Sequence, residues 1–307
     1  MNPSHPQRPL PLKTLVGLNE RLKVVDIGAS PMDGQDPPYL NLLRAGDIDL
    51  VGFEAHGPSL AELNSKKGPH ETYLPLAVGD GRRHTLNICR ATGLSSVLEP
   101  SQPYMKLFHF FPVWARVLEQ LEVDTVRLDD VPETTNVDYI KIDIQGGELM
   151  AFKGGAGRLK DVSVIDTEVS FLPMYVGQPL FSEVEQFLRA QGFMFHRFNP
   201  VVSRYLAPFL LNNEIYGGMS QVMQADAVFV RDFTRLDLFT VRQLVVTATI
   251  LHDCYQSFDA VLYLLTELGR RQQSDVANAY VAALQPYFPG QTVWAWHGPV
   301  KAPPANA

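Results

Sequence analysis

The stretch Asn136-Val-Asp-Tyr-Ile-Lys-Ile-Asp-Ile-Gln-Gly-Gly-Glu-Leu149 constrains the fold more than any other part of the chain. Val137, Tyr139, Ile140, Ile142 and Ile144 make a near-continuous apolar run of strand-forming residues, the pattern of a central parallel strand covered on both faces. A polar turn and a helix-forming segment follow, which places Asp143 and Gln145 at the strand's carboxyl end. In open α/β sheets that edge opens onto the ligand crevice. A carboxylate there must be solvated or paired, because burying it bare is costly.

A second strand, turn and helix lies near the N-terminus. Leu22-Lys-Val-Val-Asp-Ile-Gly28 reads as a first strand that delivers Asp26 and Gly28 to a turn. Asp36 to Ala45 reads as its helix, with Asp36 as N-cap and Pro37 at the first helical position. The next glycine after Gly28 is Gly34, with Pro31 between, so the spacing is not that of a dinucleotide fingerprint. Ile48-Asp-Leu-Val-Gly-Phe-Glu54 then reads as a second strand ending in a carboxylate. An acidic group at that edge can accept hydrogen bonds from both hydroxyls of a ribose. Alone, Glu54 reads equally well as a solvated strand-end residue; joined to the Asp26-Ile-Gly28 turn, it favours a nucleoside ligand.

Strands and helices alternate along the next two hundred or so residues, within the usual size of one α/β domain. A helix from Pro58 to Lys67 leads to a strand from Thr72 to Val78, with Asp80 just beyond, where it can meet the adenine edge of a nucleoside or serve a plain tight turn. Short strands are expected at His84 to Ile88, Ser95 to Leu98 and Val123 to Leu128. Asp138 to Ile144 is the fourth core strand, Glu148 to Lys153 its helix, and Val162 to Val169 the fifth strand, with Glu168 at the end of its Val164-Ile-Asp-Thr-Glu168 segment. Ser182 with Glu185 has capping-box spacing for a helix to Ala190. Phe193 to Phe198, which carries His196, and Asp226 to Arg231 close the sheet as a hairpin. Beyond Asp232, apolar residues at helical spacing in Leu236 to Leu251, Ser257 to Leu268 and Ser274 to Leu284 predict helices that cap the sheet, self-associate as a candidate homodimer interface, or dock a carrier.

Two insertions are candidates to face a substrate. Tyr104 to Trp114 holds Phe108, Phe110, Phe111 and Trp114, which can wall a pocket or pack as core, and core packing is the expectation. Pro200 to Gln224 carries Arg204, Tyr205, Asn212, Asn213 and Tyr216, a composition that suits a hydroxylated or acidic small molecule better than a lipid.

The formal charge of −7, from 26 Lys and Arg against 33 Asp and Glu, comes without a long basic run, which argues against nucleic acid as a partner. Cys89 and Cys254 lack metal-ligand or redox spacing and read as ordinary thiols. No apolar run approaches the length of a membrane helix and the first residues do not resemble a signal peptide, so the expectations are no membrane partner and a cytoplasmic location.

Val25-Asp-Ile-Gly-Ala29, Gly52-Phe-Glu54, Leu76-Ala-Val-Gly-Asp80, Leu94-Ser-Ser96, Thr125-Val-Arg-Leu-Asp-Asp130, Asp138 to Glu148 and Ala225-Asp-Ala-Val-Phe-Val230 together resemble the successive signatures of FkbM-type methyltransferases. The resemblance spans roughly residues 20 to 232. Ser30 stands where the family usually has Asn, and Gln145 where it usually has Glu in an Asp-Val-Glu-Gly signature. The resemblance implies an α/β, doubly wound Rossmann-like methyltransferase sheet, mostly parallel with an antiparallel last strand, plus a helical C-terminal extension. The expected divisions are a tail over 1–19, the methyltransferase domain over 20–233, the helical extension over 234–296 and a tail over 297–307. It implies S-adenosyl-L-methionine as cofactor, held by Asp26, Gly28, Ala29, Ser30, Glu54, Ala77, Val78, Asp80 and Asp143. It also implies O-methylation of a small hydroxylated metabolite or sugar.

Moving a methyl group to an alcohol requires near-attack geometry and removal of a proton. Asp143 is the candidate beside the methyl group, Glu168 the preferred general base and His196 the third catalytic option. Asp143 with Glu168 can offer oxygen ligands to a divalent cation, but nothing in the spacing requires one and no metal is expected. The competing reading is a non-catalytic nucleoside-binding module that Gln145 and the insertions adapt to a partner. A dehydrogenase is disfavoured by the missing dinucleotide fingerprint.

Overall fold

The alternating apolar segments assemble into a doubly wound sheet in the computed structural model, which describes residues 11–30 and 36–295. A short helix α1 (Leu12–Val16) precedes β1 (Leu22–Ile27), α2 (Leu40–Arg44), β2 (Ile48–Phe53), α3 (Gly57–Lys66) and β3 (Glu71–Leu74). Next come β4 (Ala77–Val78), β5 (Arg83–Cys89), the single turns α4 (Gln102–Met105) and α5 (Phe111–Trp114), and β6 (Val117–Val126). The chain continues through β7 (Tyr139–Ile142), α6 (Glu148–Gly154), β8 (Val164–Ser170), α7 (Phe181–Ala190), β9 (Phe193–Ser203) and β10 (Val222–Arg231). Helices α8 (Val241–Asp253), α9 (Phe258–Gln272) and α10 (Val276–Leu284) follow. Glu20–Leu236 forms one unit, and the residues on either side of it a second.

In the first unit the strand order is β3-β2-β1-β7-β8-β10-β9. All pairs are parallel except those of β10, which runs antiparallel to β8 and β9. One face carries Val25, Ile27, Ile140, Ile142, Ile165 and Phe229, packed with Leu149 and Phe152 of α6 and Val184 and Leu188 of α7. Register puts Asp26, Lys141 and Asp166 level on the opposite face, with Glu168 beside Asp226. The period-2 alternation of strands thus separates a greasy face from a polar one. Lys141 points away from Ile140 and Ile142 as expected, and its Nζ lies 3.6 Å from Asp26 Oδ1.

Several local expectations are corrected. Asp36 does not cap a helix: Pro38 disfavours α geometry at Pro37, and regular helix starts only at Leu40 after Tyr39. The strand foreseen from Thr72 to Val78 breaks at Pro75, which lacks a ladder donor; β4 instead pairs with β6 in a small second sheet of order β4-β6-β5. Ser95 to Leu98 contributes a single bridge, Ser96 with Asn87. Helix α7 begins at Phe181, and Glu183 rather than Ser182 does the capping, accepting from the Leu180 N–H at 3.1 Å. Glu185 pairs with Arg189 instead. The closing hairpin extends to Ser203 and resumes at Val222, which shortens the loop expected over 200–224.

In the second unit α8 packs on α9, and α1 contacts α8 and α10. Leu12 is buried, so helix stands where a loose tail was expected. Thr240 and Gln243 cap α8 reciprocally. The rest of the tails expected over 1–10 and 297–307, and the Pro31 to Gly34 part of the first loop, lie outside the described residues. Cys89 and Cys254 are not joined in a disulfide among the described residues. Among the described residues no helix is long and apolar enough to cross a membrane.

Candidate functional site

Two strand ends meet where β1 hands over to its loop. Gly28 adopts φ +82°, and a Cβ there would lie 2.0 Å from the Asp143 carbonyl oxygen, so only glycine lets the β1 and β7 loops touch. The Gly28 and Ala29 N–H groups both donate to the Phe53 carbonyl at 3.1 Å, which brings Glu54 alongside. Glu54 is 8% exposed, accepts from the His56 N–H at 2.7 Å and is hydrogen-bonded to Ser30. Burial raises its pKa despite those bonds. Asp26 accepts a hydrogen bond from Tyr39 and pairs with Lys141, and its charge adds to the rise in the Glu54 pKa. Burial would discharge Lys141, but the carboxylates of Asp26, Asp143, Asp166 and Asp226 raise its pKa above the ordinary value.

At the end of β7 the chain turns through Gln145 (φ +55°) and Gly146 (φ +99°). Left-handed backbone is strained for glutamine; Ser96 Oγ pins it by donating to the Gln145 carbonyl at 2.7 Å. Glu148 folds back to accept from the Ile144 and Gly146 N–H groups at 3.0 and 3.1 Å. Its burial pushes its pKa up to about 7. The Gln145 amide reaches across the strand ends, donating to Asp143 at 2.9 Å and to Glu168 at 3.1 Å. Its carbonyl oxygen accepts from the Tyr175 hydroxyl at 3.0 Å. Glu168 also accepts from the Gln224 amide. Burial first, then the neighbouring Asp143 and Glu148, hold the Glu168 pKa well above the carboxylate range.

Asp143, Glu148 and Glu168 bring carboxyl oxygens within 4.8 Å of one another. That spacing suits either a cation or a shared proton, and the Gln145 amide donates into the gap between Asp143 and Glu168. A small cleft beside them is lined by the apolar Leu94, Met105, Phe111 and Met174 and by the polar Gln145, Glu168, Ser170, Tyr175 and Gln224.

The aromatic insertion divides between its two expected roles. Phe108 and Phe111 are buried, and Phe111 also lines the cleft. Phe110 is 50% exposed at φ +64° and stacks on Trp114, which stacks in turn on Tyr216. The two insertions are tied together: the Ala207 N–H donates to the Leu107 carbonyl at 2.8 Å, Phe108 bridges Leu206, and His109 Nε2 lies 3.0 Å from the Phe209 carbonyl. Leu206, Phe209, Leu211 and Met219 are exposed on the second loop, which is greasier at its surface than its amide and tyrosine content suggested.

The structure therefore brings together Gly28, Ala29, Ser30, Glu54, Asp143 and Glu168, while Asp26 lies beneath them. Ala77 and Val78 form β4, two residues beyond β3, whose Leu74 carbonyl accepts from the Glu54 N–H. Asp80 is held at 2.8 Å by His84, which lowers its pKa. His196 is not brought to the carboxyl cluster: it sits on the edge strand β9 between Phe195 and Arg197, which pair with Phe229 and Val228, so β10 separates it from β8. Sequence reasoning missed Tyr175, Gln224 and the folding back of Glu148. Gln224 was within reach, since it alternates with Asp226 along β10.

A family model described as the methyltransferase FkbM domain matches residues 26–195, more than half of the chain. No match is found among curated proteins. Aligned solved structures include a precorrin-6y C5,15-methyltransferase from Geobacter metallireducens GS-15, at 14% identity over 71% of this chain and 85% of that one, with TM-score 0.35. A SAM dependent methyltransferase from Aquifex aeolicus aligns at 13% identity over 75% and 94%, with TM-score 0.33. An uncharacterized protein from Listeria monocytogenes serotype 4b aligns at 7% identity over 92% and 99%, with TM-score 0.36. With overlaps this low, none of the three bears on the chemistry. Through the match over 26–195, the chain belongs to the FkbM family of S-adenosylmethionine-dependent methyltransferases.

Proposed function

We propose that the chain is an O-methyltransferase that methylates a hydroxyl of a small acceptor seated in the cleft beside Glu168. The observation that carries this reading is the joining of Asp143 and Glu168 by the Gln145 amide beside a cleft of mixed polar and apolar lining. The donor set fits the cofactor. Glu54 offers a carboxylate for ribose hydroxyls, and Asp143 supplies negative charge for a cationic donor. When bound, S-adenosylmethionine supplies an electrophilic methyl group on a positively charged sulfur.

The chain's own residues do the rest. Glu168 accepts the hydroxyl proton on a carboxyl oxygen, and the Gln145 and Gln224 amides hold that carboxyl in one orientation. A raised carboxyl pKa makes the ionised form a stronger base than a surface glutamate. Leu94, Met105, Phe111 and Met174 exclude water and suit a hydroxyl carried on an apolar body.

The test is a panel of hydroxylated acceptors, with amines as the comparison arm, scored by S-adenosylhomocysteine release. Glu168→Gln should lower turnover of the accepted alcohol about 10²- to 10⁴-fold, the usual contribution of a general base, while leaving cofactor affinity within a few fold. Unchanged turnover would remove Glu168 from the reaction. Cofactor binding without release across the panel would favour the non-catalytic module, and turnover confined to amines would replace the O-methyl reading.

A further inference from the structure

The charge on the methyl donor and the protonation of Glu168 are coupled by the way the strand ends are built. Asp143, Glu148 and Glu168 have oxygens within 4.8 Å of one another, with Glu148 and Glu168 buried and Asp143 half-buried. Three carboxyls that close do not all ionise together, because each new negative charge raises the cost of the next. The titratable and charged groups facing Glu168 are Lys141 and Asp143 from β7, Glu148 from α6, Asp226 from β10, Asp166 on its own strand, and Tyr175 from the segment after β8. Lys141 is the one cation in that set, and it already pairs with Asp26 at 3.6 Å. Gln145 links Asp143 to Glu168 and is oriented by Tyr175, but an amide carries no net charge. It fixes the two carboxyls in place without neutralising either.

We infer that Glu168 gives up its proton when the sulfonium-bearing cofactor binds and keeps one when only the neutral thioether product is present. The inference rests on the proposed reading of this edge as the methyl-donor crevice. The proton count closes over a cycle. The Glu168 carboxylic acid releases a proton to solvent as a positive charge arrives beside it, leaving the site's net charge unchanged. The resulting carboxylate takes the proton of the acceptor hydroxyl as the oxygen–methyl bond forms and the sulfur–methyl bond breaks. Loss of the sulfur's charge then leaves Glu168 protonated again. One proton is released per methyl group moved, at the binding step, and the base is armed only when the donor is in place. Burial together with Asp143 and Glu148 favours the protonated form of free Glu168, as the inference requires.

The measurement is calorimetric titration of the full chain at pH 7 in two buffers of different ionisation enthalpy, with S-adenosylmethionine and with S-adenosylhomocysteine. The wild type should release about one more proton with the first than with the second, and Glu168→Gln should erase that excess. The variant also cancels protons contributed by the ligands' own amino groups. Between pH 6 and 7.5 the wild-type preference for the charged form should rise with pH, by up to about tenfold per unit for one linked proton. Equal proton counts in the wild type, or an excess that survives Glu168→Gln, would overturn the inference. Should the variant not fold, a wild-type preference that is flat with pH overturns it by itself. Failure of both ligands to bind is a different result, which defeats the cofactor assignment to this edge.

Discussion

At the scale of single residues, Glu54 is the cleanest probe of the cofactor end of the site. It ends β2, beside the Gly28 turn, and is nearly buried with its pKa raised by burial. Hydrogen bonds to a charged acceptor are worth about 1.5–3 kcal/mol, so Glu54→Ala should weaken S-adenosylmethionine binding roughly 10- to 100-fold by titration calorimetry. An unchanged affinity would take Glu54 out of the site. The placement of Asp143 and Glu54 just after their strands, and of Glu168 near the carboxyl end of β8, was legible because apolar runs precede or surround each. Asp26 looked equivalent in sequence, yet its position two residues before Gly28 puts it on the polar face under the turn, where Tyr39 and Lys141 claim it. Tyr175 left no trace in local pattern, because its role depends on a loop meeting the β7 turn from thirty positions away.

Among the elements, strands were easier to read than helix starts. The near-continuous apolar runs of β1 and β7 record burial on two faces, which sequence expresses directly. Helix starts depend on side chains choosing among several backbone partners, and at α2 and α7 a proline pair and a competing glutamate shifted the first turn. Helix α8 offers a direct check on one such cap, since Thr240 accepts from the Gln243 N–H at 3.1 Å and Gln243 returns the bond to the Thr240 N–H at 2.9 Å. Thr240→Ala should destabilise the protein by about 1 kcal/mol in urea unfolding. The exposed hydroxyl makes few other contacts, so a loss of several kcal/mol would mean that it does more than cap.

For the whole molecule, the polar sheet face sets how stability responds to pH. Burial, reinforced by neighbouring carboxylates, pushes Glu148 and Asp226 up to about 7, and Glu168 is raised as well. In the unfolded chain these groups ionise near pH 4, so between about pH 4.5 and 7 the folded state binds more protons than the unfolded state. Stability therefore falls as pH rises through that window, by on the order of 3 kcal/mol for Glu148 at 1.36 kcal/mol per unit. Carboxylates with lowered pKa, such as Asp80 and Asp232, finish titrating below it. Urea midpoints at pH 5, 6, 7 and 8 should decline in order, and Glu148→Gln should flatten the trend; a rising series would contradict the assigned burial. The clasp between Leu107–His109 and Leu206–Phe209 carries a consequence for engineering. Segments a hundred positions apart in the chain share these contacts, so transplanting either loop alone from a relative would break the clasp. Acceptor preference should then travel between homologues only when both loops are exchanged as a pair.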